Sequence, residues 1–79
     1  MTVPTYIVQS FYEQGRRLIA DQPRKVNSEK AAIDGARRLV ERKAGVVAFS
    51  VVYDVESEVT SEPVVLFKAG KLPPELVGE

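Results

Sequence analysis

Chemistry needs particular side chains, and this sequence of 79 residues offers few of them. It contains no His and no Cys. The commonest general base and the commonest nitrogen metal ligand are therefore missing, as are thiolate zinc sites and disulfides. The hydroxyls are Ser10, Ser28, Ser50, Ser57, Ser61, Thr2, Thr5 and Thr60. None has the glycine-flanked context of a nucleophile elbow, none has an imidazole to activate it, and no spacing points to a Ser-Lys pair. Glu56 and Glu58 are the one pair of alternating carboxylates, in a stretch whose composition suits a soluble loop. The run Asp54-Val55-Glu56-Ser57-Glu58 has acidic residues at alternate positions but lacks the glycine and the terminal glutamate of a calcium loop. The five glycines are scattered, so no phosphate-cradling loop is encoded. The expectation is a protein with no catalytic residues, no metal and no cofactor.

What the sequence does concentrate is positive charge. Residues 1–45 hold nine Lys and Arg against five Asp and Glu, and residues 46–79 hold two against six, so opposite halves carry +4 and −4 within a chain of zero net charge. Arg16, Arg17, Arg24, Lys25, Arg38 and Arg42 form the candidate contact set for phosphate or for an acidic partner. Tyr6, Tyr12 and Tyr53 would add base stacking if a sheet displayed them together. Against this stand a pI near 6.3, far from strongly basic, and the i,i+4 pairs Asp34–Arg38 and Arg37–Glu41, which would act as ordinary helix supports.

The elements that must hold these residues read clearly. Tyr6–Tyr12 is rich in aromatic and β-branched residues and predicts a strand, with Gly15 turning the chain into a second strand from Arg17 to Ala20, extending towards Val26. Pro23 cannot donate to a ladder, so that end should lie at an edge, a bulge or a loop. Asn27 or Ser28 caps a helix running to Ala44, with Ala32, Ile33, Ala36, Leu39 and Val40 on one arc and Gly45 just past its end. Gly35 is the misfit inside it, since glycine costs about 1 kcal/mol against alanine there, and a close packing contact would explain it. Val46–Tyr53 and Val64–Lys68 predict a hairpin joined by the acidic loop 54–62. Leu72–Leu76 suits a short terminal helical turn.

The predicted fold class is α+β, in the order ββαββ, with a four-stranded, mainly antiparallel sheet and one helix on one face. The β-grasp arrangement shares that order. Residues 1–79 form one domain, with 1–4 and 77–79 as flexible ends. The later strands are apolar on both sides, with Val47, Phe49, Val51 and Tyr53 opposite Val46, Ala48 and Val52. A single helix covers one face. The tail with Leu72, Leu76 and Val77, or a second subunit, should cover the other.

The start of the chain has no basic and apolar leader pattern, and no apolar run approaches the ~20 residues of a membrane span. The reading is a cytoplasmic protein without membrane contact. The strings Tyr-Ile-Val-Gln-Ser-Phe (6–11), Gly-Val-Val-Ala-Phe-Ser (45–50) and Pro-Val-Val-Leu-Phe-Lys-Ala-Gly-Lys-Leu-Pro (63–73) resemble small uncharacterised bacterial proteins of unassigned function. That resemblance implies a bacterial, cytoplasmic protein and transfers no site residue. The functional expectation is a non-catalytic binding or adaptor module that meets a protein partner, or a second copy of itself as a homodimer, through a surface. The alternative is a nucleic-acid-binding accessory protein using the basic helix face, and a third class is a minor enzyme subunit or small-molecule sensor with an enclosed apolar pocket between helix and sheet.

Overall fold

The computed structural model describes residues 1–73 and shows an α+β fold: one helix on one antiparallel sheet. The strands are β1 (Thr2–Gln14), β2 (Arg17–Ala20), β3 (Arg24–Val26), β4 (Gly45–Asp54), β5 (Val59–Thr60) and β6 (Val64–Gly70), with α1 (Glu29–Leu39) between β3 and β4. The long strands β1 and β4 form the centre, paired from Thr2↔Asp54 to Phe11↔Gly45. β2 and β3 line the outer side of β1, and β5 and β6 line the outer side of β4. All pairings are antiparallel, and the β-grasp likeness is not confirmed by this order.

Six strands appear where four were expected because both edges are interrupted. On one edge Ala20 pairs with Phe11 and Arg24 pairs with Val8, so three residues, Asp21, Gln22 and Pro23, lie opposite two. The proline has no N–H for the ladder, and the extra residue makes a bulge. On the other edge Ala48 pairs with Phe67 but Phe49 pairs with Val65, leaving Leu66 as the extra residue. The bulge breaks the period-2 alternation. Phe67 thereby shares the helix-covered face with Ala48, while Val65 faces the other way, and both Leu66 and Phe67 pack against the core.

The helix begins as its sequence predicts. Ser28 Oγ accepts from the Ala31 N–H at 3.1 Å, and Glu29 occupies the first turn. It ends earlier, at Leu39 instead of Ala44. Beyond it, the N–H groups of Arg42 and Lys43 both donate to the Leu39 carbonyl, and the Ala44 N–H donates to the Phe11 carbonyl of β1. The pull of β1 on Ala44 replaces the last helical turns with a turn leading into β4. Gly45 is correspondingly not a helix cap. It is the first residue of β4, and a Cβ on it would run into the Lys71 carbonyl. Gly15 takes the positive φ expected of the turn after β1, at 63°, and Gly70 at the end of β6 also has a positive φ, at 75°.

Ala32 and Ala36 of α1 pack on Val8, Val46 and Ala48, with Tyr6, Val26, Leu39, Phe67 and Ala69 around them. Two alanines at the contact let the helix approach the sheet closely. Among the described residues, the opposite face is covered at one end only. Gly45, Val47 and Phe11 share that face, and the backbone of Lys71 returns across it over Gly45, anchored by Lys71 N–H to the Ala44 carbonyl and by Lys71 Nζ to Glu13 Oε2 at 2.9 Å. Val47 and Phe11 are buried there, and Leu72 and Pro73 are half-buried. The expected tail contribution of Leu76 and Val77, and the rest of the terminal turn, lie outside the described residues.

At the N-terminal end, Thr2, Val3 and Pro4 lie in β1, paired with Asp54, Tyr53 and Val52. No helix among the described residues is long and apolar enough to cross a membrane.

Candidate anion-binding groove

A shallow groove of about 470 Å³ runs between the side of α1 and the β3 edge, lined by Arg24, Gly35, Arg38, Leu39, Glu41 and Arg42. It continues at one end past Asp21, Gln22 and Lys43, and at the other past Lys30 and Asp34. Register explains how Arg24 arrives there. It pairs with Val8, whose side chain lies under the helix, so Arg24 projects to the helix side of the sheet. Arg38 approaches from α1, at the spacing that puts it on the same stripe as Ala31 and Gly35. Arg42 comes from the turn that follows the helix.

The structure therefore gathers three of the six basic residues singled out by sequence and separates the others. Lys25 pairs with Ile7, so it lies on the face away from the helix. Arg16 lies in the β1–β2 turn and Arg17 opens β2, and neither lines any part of the groove. The tyrosines are dispersed as well. Tyr6 packs against the core, Tyr12 and Tyr53 are exposed, and the alternation of β1 places Tyr12 on the helix side while Tyr53, opposite Val3, faces away. They form no shared stacking platform.

The charges in and around the groove divide into neutralised and unneutralised groups. Asp34 pairs with Lys30 at 4.0 Å rather than with Arg38, and Arg37 lies over the Phe67 ring at 5.9 Å rather than beside Glu41. Among the described residues, Arg24, Arg38 and Arg42 take part in no ion pair. Glu41 is the one lining carboxylate without a cationic partner. Three guanidiniums thus converge on a concave surface with one carboxylate to offset them.

At the groove's inner end, three residues form a clasp. Ser10 Oγ donates to Asp21 Oδ2 at 2.9 Å, and Lys43 Nζ reaches the same oxygen at 2.9 Å. The Asp21 N–H donates to the Ser10 carbonyl, and Gln9 Nε2 donates to the Asp21 carbonyl. The clasp ties β1, the break between β2 and β3, and the segment after α1 to one another. Lys43, and after it Ser10, hold the Asp21 carboxyl below its ordinary value, against a smaller opposing effect of desolvation.

Sequence reasoning did not find Asp21 or the role of Gly35. Asp21 carried no pattern, because its partners come from positions 10 and 43. Gly35 did carry a signal, as the helix's single unfavourable residue, and the packing explanation for it is weak: a Cβ there would meet only Val8 Cγ2, at an ordinary 3.8 Å. The groove is open to solvent, unlike the enclosed pocket expected of a sensor.

The chain matches no family model, no curated protein and no solved structure.

Proposed function

We propose that this chain is a non-catalytic binding or adaptor module that acts through a surface, and that it self-associates as a homodimer. The carrying observation is the half of the sheet furthest from the Lys71 return. There Val3 and Tyr53, paired across β1 and β4, are 43% and 37% exposed, and Val65, beside Phe49, is 45% exposed. Thr5, Ile7 and Val51 lie on the same face by alternation along the strands, with Lys25 beside Ile7 at its β3 edge. Contiguous exposed apolar surface of this kind is a mark of association, and a chain this short gains stability from a partner. A second copy offers the same face, as a twofold interface requires. Sedimentation velocity over a concentration range tests it. The wild type should show a dimer that dissociates on dilution, and Val65→Lys should remain monomeric with an unchanged fold. A wild-type monomer at high concentration overturns the reading.

A second reading, a nucleic-acid-binding accessory protein, is favoured by the convergence of Arg24, Arg38 and Arg42. It expects salt-sensitive retention on heparin that is lost in Arg38→Gln/Arg42→Gln. A bacterial source and a cytoplasmic setting belong to the same proposal and rest on the sequence resemblance.

A further inference from the structure

We propose that the groove between α1 and β3 is a binding site for a single phosphate group, with Arg24, Arg38 and Arg42 as its ligands and Gly35 as its floor. This goes beyond self-association, which uses the opposite face and other end of the sheet, and it narrows a basic surface to a defined site.

Two independent observations point to a ligand. The first is charge. Arg24 comes from an edge strand and Arg38 and Arg42 from the helix and the turn after it, yet all three line one concavity and none takes part in an ion pair among the described residues. Glu41 also lines the groove without a cationic partner, one carboxylate against three guanidiniums, and the other acidic side chains nearby are engaged, Asp34 with Lys30 and Asp21 with Lys43. Guanidiniums are planar forks that hold phosphate oxygens in pairs, and three of them complement an anion far better than one another.

The second is Gly35. Glycine weakens a helix interior, and close packing does not require it here, because a Cβ would sit in ordinary contact with one atom of Val8. What the missing side chain does is keep the groove open between Arg24 and Arg38, both of which line it together with Gly35. A glycine that stability disfavours and packing does not demand, at the bottom of a cationic groove, is accounted for by close approach of a ligand. Leu39 supplies an apolar wall beside it, suited to the carbon skeleton attached to a phosphate. The phosphate can belong to a small phosphoester or to the backbone of a single-stranded nucleic acid.

Calorimetric titration with inorganic pyrophosphate, and fluorescence anisotropy with a short labelled oligothymidylate, test the site and separate the two sources. Binding of both probes assigns the backbone of a nucleic acid, and binding of pyrophosphate alone assigns a small phosphoester. In either case Arg38→Gln should weaken binding about tenfold, while Arg16→Gln/Arg17→Gln should leave it unchanged. Gly35→Leu should abolish binding, and Gly35→Ala should raise the melting temperature while weakening binding. Melting curves identify any variant that fails to fold, and the exposed Arg38 position keeps the test decisive if Gly35→Leu does so. The proposal is overturned if neither probe binds, if Arg38→Gln or a folded Gly35→Leu binds as the wild type does, or if Arg16→Gln/Arg17→Gln weakens binding as much as Arg38→Gln.

Discussion

The two ends of β4 experience different surroundings within one strand. From Gly45 to Ala48 every residue is buried, with α1 on one side and the Lys71 return on the other. From Val52 to Tyr53 the same apolar, β-branched and aromatic sequence is exposed. Composition does not distinguish them. Length does. An 11-residue helix spans about 16 Å at 1.5 Å per residue, whereas a 13-residue strand such as β1 spans about 43 Å at 3.3 Å per residue. The helix is too short to reach the far end, and the return at Lys71 covers the near end only. Val52 and Val64, both on the helix side by register, are left exposed alongside Val3, Tyr53 and Val65 on the other face. A sheet longer than its cover has one end that acts as core and another that acts as a surface.

The sharpest test of this contrast uses the same substitution at both ends. Val46→Ala removes two methyl groups from a fully buried site and should lower stability by about 2 kcal/mol. Val52→Ala should change it by less than about 0.5 kcal/mol. Urea unfolding of the two variants measures the difference, and equal losses would show that the far end is covered in solution.

Gly45→Ala probes the cover on the face opposite the helix. Its Cβ collides with backbone rather than with a side chain that could swing away, so a loss of about 1–3 kcal/mol is expected. Amide exchange should show the Lys71 N–H, bonded to the Ala44 carbonyl, losing protection first. A loss of protection spread evenly over the sheet would instead mean that the return is not a separate cover.

The smallest effect is expected at the clasp beside the groove. Asp21 has a carboxyl held below its ordinary value by Lys43 and Ser10. A carboxyl whose folded pKa is depressed stabilises the fold above its unfolded value of about 3.9, and that contribution is lost as pH falls through the folded value. Wild-type melting temperature should therefore drop on acidification below about pH 4 by more than that of Asp21→Asn, which starts lower at neutral pH. Parallel melting series in acid would expose any failure of this sign.

Much of the local structure was legible in the residues. The helix cap at Asn27 or Ser28, the Gly15 turn and the edge position of Pro23 each depend on one or two side chains and their immediate neighbours, and these could be read directly, whereas the acidic connection read as a loop holds the short strand β5. The last five residues of the predicted helix could not be read directly. Val40 to Ala44 has a helical pattern, but the Phe11 carbonyl, distant in sequence, captures the Ala44 N–H. The alternation of the last strand also misled, because a bulge at Leu66 is a property of the pairing with β4 rather than of the strand itself.

The candidate site divides in the same way. Sequence alone determined that this chain lacks imidazole and thiol chemistry, that its positive charge is concentrated in residues 1–45, and that Gly35 is an anomaly, because these follow from composition and from helix energetics. Only the tertiary structure decided which cations meet. Arg24 and Lys25 are adjacent in sequence and point to opposite faces, since strand pleating reverses the side chain at each residue. Arg24 and Arg38 are fourteen positions apart and line one groove, because the pairing of β3 with β1 brings the edge beneath the side of the helix.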